Sequence, residues 1–351
     1  MRNIAIFQRD LGIGGIQRSL INLITNTDLS YYRIDLYLFV PKGSVDMAER
    51  ENLRIYYLKP MPYLNRVIPF NFIKRNYYYD FPDTEYDLAI DYNSYSNECA
   101  LCALTVNAKK RVMWIHNDLR VELSQTFKYK VLYHAFKAKY KLYDEFVAVS
   151  GGIIEPFRSI THQYFKPIRI IPNAINTAEL FRMSEAPVDF SPDPLTTNFI
   201  FVGRYTRQKG IDLMIDYFAD ALTKRTDIHL YMIGAGPEES AIEHKINNLK
   251  LDAYITRLPE TDNPFPFMTK CDALILTSRH EGQGIVLQEA KALGLDLIFP
   301  TRLEKYNPIA KGTDDIVGAI LKERPHEKNR DSLDTYNLRI KNELYGLFDN
   351  A

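Results

Sequence analysis

Twelve short apolar runs, rich in β-branched and aromatic residues, recur along the chain and limit what it can fold into. The first six are Ile4 to Phe7, Ile34 to Val40, Arg54 to Leu58, Leu88 to Ile90, Val112 to Ile115 and Phe146 to Val149. The second series is Ile168 to Ile171, Phe199 to Val202, Leu230 to Ile233, Ala253 to Thr256, Leu274 to Leu276 and Leu297 to Phe299. Each has the composition of a strand, and segments of helical period, such as Gln17 to Ile24 and Phe127 to Tyr143, lie between several of them. Strands alternating with helices build parallel sheets covered on both faces, so the pattern predicts an α/β protein. A length of 351 residues leaves room for two such units. The stretch from Ala186 to Asn198 carries three prolines and no hydrophobic period, which puts a hinge between Pro172 and Pro194. The expected division is 1–175, 176–331 and a final helical segment, 332–351, crossing back to the first unit. Ligands of open parallel sheets bind at the carboxyl ends of strands, so two facing units would hold a site in the cleft between them.

Charge excludes one class of partner. Lys+Arg and Asp+Glu both total 44, and a net charge of zero argues against a dedicated nucleic-acid binder. The neutrality hides an asymmetry: residues 1–175 carry 23 basic and 17 acidic side chains, and residues 176–351 carry 21 and 27, so the halves stand at +6 and −6. No signal-peptide core opens the chain and no run approaches the roughly 18 apolar residues of a membrane span, so a cytoplasmic location is expected. Cys99, Cys102 and Cys271 cannot make a disulfide framework, and Cys99 to Cys102 lacks a second pair to complete a zinc site; buried structural thiols are expected.

The chemistry-bearing residues follow strands. Gly12, Gly14 and Gly15 lie after the first strand and lead into an apolar helix; they suit an anion at a helix N-terminus, or simply a tight turn. Gly203, Arg204, Lys209 and Gly210 straddle a later strand-to-helix turn, where two cations can converge on phosphate; the rival reading is a solvated basic loop. Ile233 to Pro237 is a further glycine turn after a strand. The segment from Ser278 to Gly294 opens on polar residues, passes Gly282 and Gly284, and enters a helix. Glu281 in the loop and Glu289 two turns into the helix could reach different parts of one elongated ligand, although acidic residues also favour first helical turns for electrostatic reasons.

The segment from Ser278 to Gly294, with Glu281 and Glu289, resembles the E-x7-E signature of retaining glycosyltransferases of the GT-B fold. With FVGRYTRQKG, GIGGIQRSL, VMWIHND, VAVSGGI and IIPNAIN, in that family's order over residues 4 to about 300, the chain resembles glycosyltransferase family 4. The resemblance implies two Rossmann-like domains facing each other across a cleft, the second holding a nucleotide sugar. It implies that Arg204 and Lys209, beside Gly203, grip the diphosphate, that Glu289 bonds the ribose and that Glu281 contacts the donor sugar. His280, Gln283 and the backbone amides of Gly282, Gly284 and Ile285 would lie nearby. Gly14 and Gly15 would close on the distal phosphate, and His116 would lie close to the transferred sugar. Ser150 and Asn173 match supporting positions. Two carboxylates on one side of the ligand do not make a glycosidase pair. No Asp-x-Asp occurs anywhere, so no essential metal and no cofactor beyond the sugar nucleotide is expected. UDP is the default base by analogy. Gln283 stands where an aromatic commonly sits, leaving the donor sugar open, and beyond Thr301 the usual further strand is hard to find.

Two stretches mix basic and aromatic residues, 64–79 with Arg66, Lys74, Arg75, Phe70, Phe72 and Tyr77 to Tyr79, and 127–143 with Lys128, Lys130, Lys137, Lys139 and Lys141. Such mixtures suit a membrane interface with anionic lipids, and the second suits equally a helix with a solvated lysine face. The expectation is a retaining hexosyltransferase of bacterial surface polysaccharide synthesis, peripheral at the inner face of the membrane, with a saccharide or lipid-linked saccharide acceptor. Competing readings are a sugar-nucleotide epimerase of the same fold and a noncatalytic partner of a transferase.

Overall fold

The structure, a computed structural model, describes residues 1–12, 14–41, 47–61, 68–94, 96–125, 127–324 and 328–351. It divides into two compact units, Met1–Ala174 with Thr335–Ala351, and Ile175–Asp334. Residues 335–351 carry two basic and two acidic side chains, so the first unit keeps the excess of six positive charges.

In the first unit, β1 (Arg2–Phe7), β2 (Tyr32–Leu38), β3 (Leu53–Tyr57), β4 (Tyr86–Asp91), β5 (Ala108–Ile115), β6 (Glu145–Ala148) and β7 (Ile168–Ile170) form one sheet. Its order is 3-2-1-4-5-6-7 and every neighbouring pair is parallel. Consecutive residues Ile4 to Phe7 are all fully buried, as a strand covered on both faces requires. Much of the aromatic content packs here: the rings of Tyr56, Tyr37 and Phe7 stack across three strands at 4.9 Å spacing. The helix Asp334–Asp349 also belongs to this unit, burying Ile340, Leu344, Leu347 and Phe348, which share one helical face. The Asp28 backbone amide donates to its Tyr345 hydroxyl at 2.8 Å, and its Tyr336 hydroxyl donates to the Asn173 carbonyl at 3.0 Å.

In the second unit, β8 (Thr197–Val202), β9 (Ile228–Ile233), β10 (Ile255–Leu258), β11 (Ala273–Ile275) and β12 (Asp296–Ile298) form a parallel sheet in the order 10-9-8-11-12. Each sheet reverses its winding at one place, between β1 and β4 in the first unit and between β8 and β11 in the second. Loops leaving the carboxyl ends of those strands therefore diverge and open a crevice for ligand.

All twelve strand segments occur, but β10 starts two residues after the expected Ala253. Lys250 adopts φ 56, and the Tyr254 amide donates to the Leu251 carbonyl at 2.9 Å, so a turn consumes the start of that apolar run. The single helix expected from Phe127 to Tyr143 is instead an α-helix, Phe127–Phe136, followed by a 3-10 segment, Lys137–Leu142. The tighter winding brings Lys139 inward, where its Nζ donates to the Ser94 carbonyl at 2.8 Å. Burial pulls the Lys139 pKa down and nearby Asp91 opposes that shift, so this lysine is no part of a solvated face. Cys99, Cys102 and Cys271 are buried free thiols whose pKa burial pushes up. Past Thr301 the described residues add no strand, only a 3-10 turn, Thr301–Tyr306, a helix, Ile316–Leu321, and the helix Asp334–Asp349. No described helix is long and apolar enough to cross a membrane.

Candidate functional site

The crevice of the second unit lies between two loops, 203–210 after β8 and 276–284 after β11. Gly210 ends the first loop with φ 63 and caps the helix Ile211–Leu222. A Cβ there would stand 2.5 Å from the Thr277 carbonyl oxygen, so glycine answers both the left-handed backbone and the close approach of the two loops. The loops are then laced together. The Thr277 hydroxyl donates to the Gly210 carbonyl at 2.8 Å, the Arg279 amide to the Gln208 carbonyl at 2.8 Å, and the Gln208 side chain to the His280 carbonyl at 3.2 Å. Arg302 reinforces the second loop by donating to the carbonyls of Thr277 and Ser278.

At the centre, Lys209 Nζ donates to Glu281 Oε1 at 2.7 Å. Their side chains are 19% and 6% exposed, so this ion pair is largely withdrawn from water. Both charges are thereby kept at the crevice, because losing either partner would strand the other in a poorly solvated place. A Cβ on Gly203 would press on the Phe201 ring at 3.3 Å but would meet Lys209 Cε only at 3.7 Å, an ordinary contact distance, so the glycine lies beside the Lys209 stem without being required by it. Arg204 is exposed and His280 half-buried, while Glu281, Gly282, Gln283 and Glu289 are buried. Gly284, at φ 72, caps the helix Ile285–Ala292. The Asn307 side chain donates to the Gln283 carbonyl and hydrogen-bonds the Gln288 side chain, fixing the backbone around this cap from outside the loop. After β9, a Cβ at Gly234 would collide with the Gly203 carbonyl oxygen, so the third glycine turn abuts the first loop.

In the first unit, Gly14 precedes the helix Gly15–Thr25, and both glycines are exposed. Asp10 organises the turn, accepting from the Gly12 amide at 3.0 Å and the Gln17 side chain at 2.9 Å. His116, just after β5, is buried with Nε2 2.9 Å from the Tyr92 carbonyl oxygen. A carbonyl only accepts, so in this bond Nε2 carries the hydrogen and the neutral ring keeps Nδ1 as an acceptor. Burial holds the imidazole pKa down at about 3, against the opposing pull of that hydrogen bond, and His116 is uncharged at neutral pH. Asn173 accepts from the Ser19 hydroxyl, and Ser150 is buried beside the end of β6.

The structure thus gathers Gly203, Arg204, Lys209, His280, Glu281, Gly282, Gln283, Gly284, Ile285 and Glu289 along two neighbouring loops and the helix that follows, and places Gly14, Gly15 and His116 in the first unit. Asp212, Arg279, Arg302, Asn307 and Asp10 escaped the sequence reading. Of these, only Asp10 carried a local signal, two residues ahead of Gly12 in a turn.

Two doubly wound parallel units in one chain, with glycines and charged side chains at the switch point of the second, define a GT-B-fold protein. Residues 192–299, within the second unit, match the family described as Glycosyl transferases group 1. An uncharacterized glycosyltransferase of Methanocaldococcus jannaschii, MJ1059, is 24% identical over 246 residues, 66% of this chain and 60% of that protein. The lipopolysaccharide core biosynthesis glycosyltransferase LpsE of Rhizobium meliloti is 24% identical over 134 residues, 38% of this chain and 37% of it. The matched part therefore spans less than two thirds of either relative. Among solved structures, Anabaena HepE in complex with UDP and glucose superposes with a TM-score of 0.62 at 14% identity, covering 100% of both chains.

Proposed function

We propose that this protein is a retaining, metal-independent glycosyltransferase of family 4. It moves a hexose-type sugar from a UDP-sugar to a saccharide or lipid-linked saccharide in surface polysaccharide synthesis. The observation that carries the reading is the Lys209–Glu281 pair at the switch point of the second unit, within the residues that match the group 1 family. UDP is chosen because HepE is seen with UDP and glucose, and polysaccharide synthesis because LpsE acts there.

Breaking the anomeric bond leaves a nucleoside diphosphate, whose growing negative charge Lys209 and Arg204 meet with no reorganisation of water. Glu281 accepts from the sugar hydroxyls, with His280, Gln283 and the Gly282 to Ile285 amides beside it, and Glu289 accepts from the ribose. Gly14 and Gly15 offer backbone amides at a helix start, assigned to phosphate. His116, being neutral, offers a sugar hydroxyl an uncharged partner rather than a general base. The departing phosphate takes the acceptor proton on the same face, which retains configuration.

A ligand that binds only the folded state at a hundred times its Kd adds about 2.7 kcal/mol of stability. UDP is accordingly expected to raise the melting temperature by about 5 °C or more, equally in excess EDTA, and sugar transfer is expected to survive the chelator. Stabilisation by no nucleoside diphosphate would overturn the enzyme reading in favour of a noncatalytic partner; dependence on added metal would overturn metal independence alone.

The membrane contact belongs to the same proposal. The helix Phe70–Asn76 buries Phe70 and Ile73 and packs beside the 3-10 segment Lys137–Leu142. Its Phe72, Arg75 and the following Tyr78 are exposed, the rings at 58% and 75%, next to exposed Lys137, Lys141 and Leu142. Arg66 and the side chains of Lys128 and Tyr129 lie outside the described residues. Rings at headgroup level with cations on anionic lipid fit this patch. The protein is expected to sediment with phosphatidylglycerol vesicles at low salt and to be released by Phe72→Ser with Lys141→Glu; no sedimentation removes the membrane from the proposal.

A further inference from the structure

Among the side chains that join the two crevice loops, Arg279 makes the most bonds, and the proposed function gives it no role. Arg279 follows β11 by four residues, and its guanidinium grips Asp212 in bidentate fashion, Nη1 to Oδ1 at 2.8 Å and Nη2 to Oδ2 at 2.7 Å. The same Nη1 donates to the Arg207 carbonyl at 2.8 Å, and the Arg279 backbone amide donates to the Gln208 carbonyl at 2.8 Å. Asp212 stands in the first turn of the helix that Gly210 opens. One residue therefore holds Arg207 and Gln208 in the other loop and Asp212 in the helix after it, and these bracket Lys209. Each partner strengthens the other's charge: the Arg279 side chain holds the Asp212 carboxyl below its ordinary pKa, and Asp212 raises that of Arg279.

We infer that Arg279 is a positioning residue that sets where the Lys209 ammonium stands relative to Glu281. Lys209 has a flexible four-carbon stem, so its placement depends on how its backbone is held. Without the guanidinium, the 3-10 turn Arg207–Lys209 is tied to the β11 loop through the Arg279 backbone amide, the Gly210 carbonyl, the Gln208 side chain and the ion pair itself. A planar guanidinium can serve a carboxylate and a carbonyl together; an ammonium cannot reproduce that fork. The pair is itself partly exposed, 31% for Arg279 and 50% for Asp212, so an exposed ion pair's small share of global stability is what it supplies. Its value is geometric.

The inference rests on the proposed nucleotide-sugar reading, and its test has one arm that does not. In the full-length protein, Arg279→Ala and Arg279→Lys are compared with wild type by hydrogen exchange read by mass spectrometry, UDP binding and donor kinetics. Both variants are expected to exchange faster in the 203–213 peptide while other peptides and the melting temperature stay near wild type. UDP affinity and donor kcat/KM are expected to fall tenfold or more, with acceptor KM unchanged and no rescue by lysine. Unaltered exchange in 203–213 overturns the clamp whether or not the protein binds UDP. Faster exchange with wild-type affinity and kinetics overturns the positioning role. If wild type itself binds no nucleoside diphosphate, the proposed function fails, and the exchange arm still decides whether Arg279 holds the Lys209 turn.

Discussion

Lys209→Ala is expected to lower donor-dependent transfer by about a hundredfold or more, the scale of losing one preorganised charge contact to a transition state. The reason lies in what the leaving group becomes. A diphosphate gains negative charge as the anomeric bond lengthens, and Lys209 is a cation already held at the crevice, 2.7 Å from Glu281. Arg204 is exposed and more weakly placed, so it cannot make up the loss. The substitution has a second effect through Glu281, whose side chain is only 6% exposed and would lose its ion partner. Breaking a fully buried pair costs about 3–5 kcal/mol, an upper bound here because Lys209 keeps some contact with water. The two effects separate in the double variant Lys209→Ala with Glu281→Gln, expected to recover most of the melting temperature and none of the transfer. Initial rates at saturating sugar nucleotide, beside melting curves for both variants, check this. Single-variant transfer within threefold of wild type removes Lys209 from the chemistry.

The strands were readable because parallel strands covered on both faces must be apolar at successive positions, as Ile4 to Phe7 are. The loops that follow them were readable because glycines and charges cluster there. Partnership was not. Lys209 and Glu281 are 72 positions apart, and their meeting depends on β8 lying next to β11, a sheet order that no local pattern encodes. For the same reason nothing in the sequence singled out Asp212 or Arg279, though together they clamp the loop. Asn307 was invisible for a different cause: it lies beyond Thr301, where the sequence shows no clear strand, yet it is fully buried and fixes the Gln283 backbone. Lys139 shows the limit of periodicity. Its spacing placed it on a helix face, but the chain tightens into a 3-10 turn there and carries it into the interior.

Glu281→Gln is expected to separate binding from transfer: affinity for UDP rises by about tenfold while the transfer rate falls by a hundredfold or more. Two opposite consequences of the ion pair compete in this variant. If the carboxylate served chiefly to hold Lys209 in place, its loss would loosen the ammonium and weaken binding. Yet the loop around Lys209 is held by Arg279, Thr277 and Gln208 independently of Glu281. The dominant effect is then electrostatic. In the ligand-free pair the Lys209 charge is already spent on Glu281, and an incoming diphosphate must compete with a carboxylate and approach its negative charge. Two unit charges 4 Å apart interact by about 4 kcal/mol at an effective dielectric constant of 20, so removing the repulsion easily covers the 1.4 kcal/mol of a tenfold gain. Glutamine keeps the shape and one acceptor but accepts sugar hydroxyls without charge, so the contact that strengthens as the sugar becomes cationic is lost. Calorimetric titration with UDP and single-turnover transfer, measured on one preparation, give the two numbers. A weaker UDP affinity in Glu281→Gln would mean that Glu281 orders Lys209 rather than competing for it.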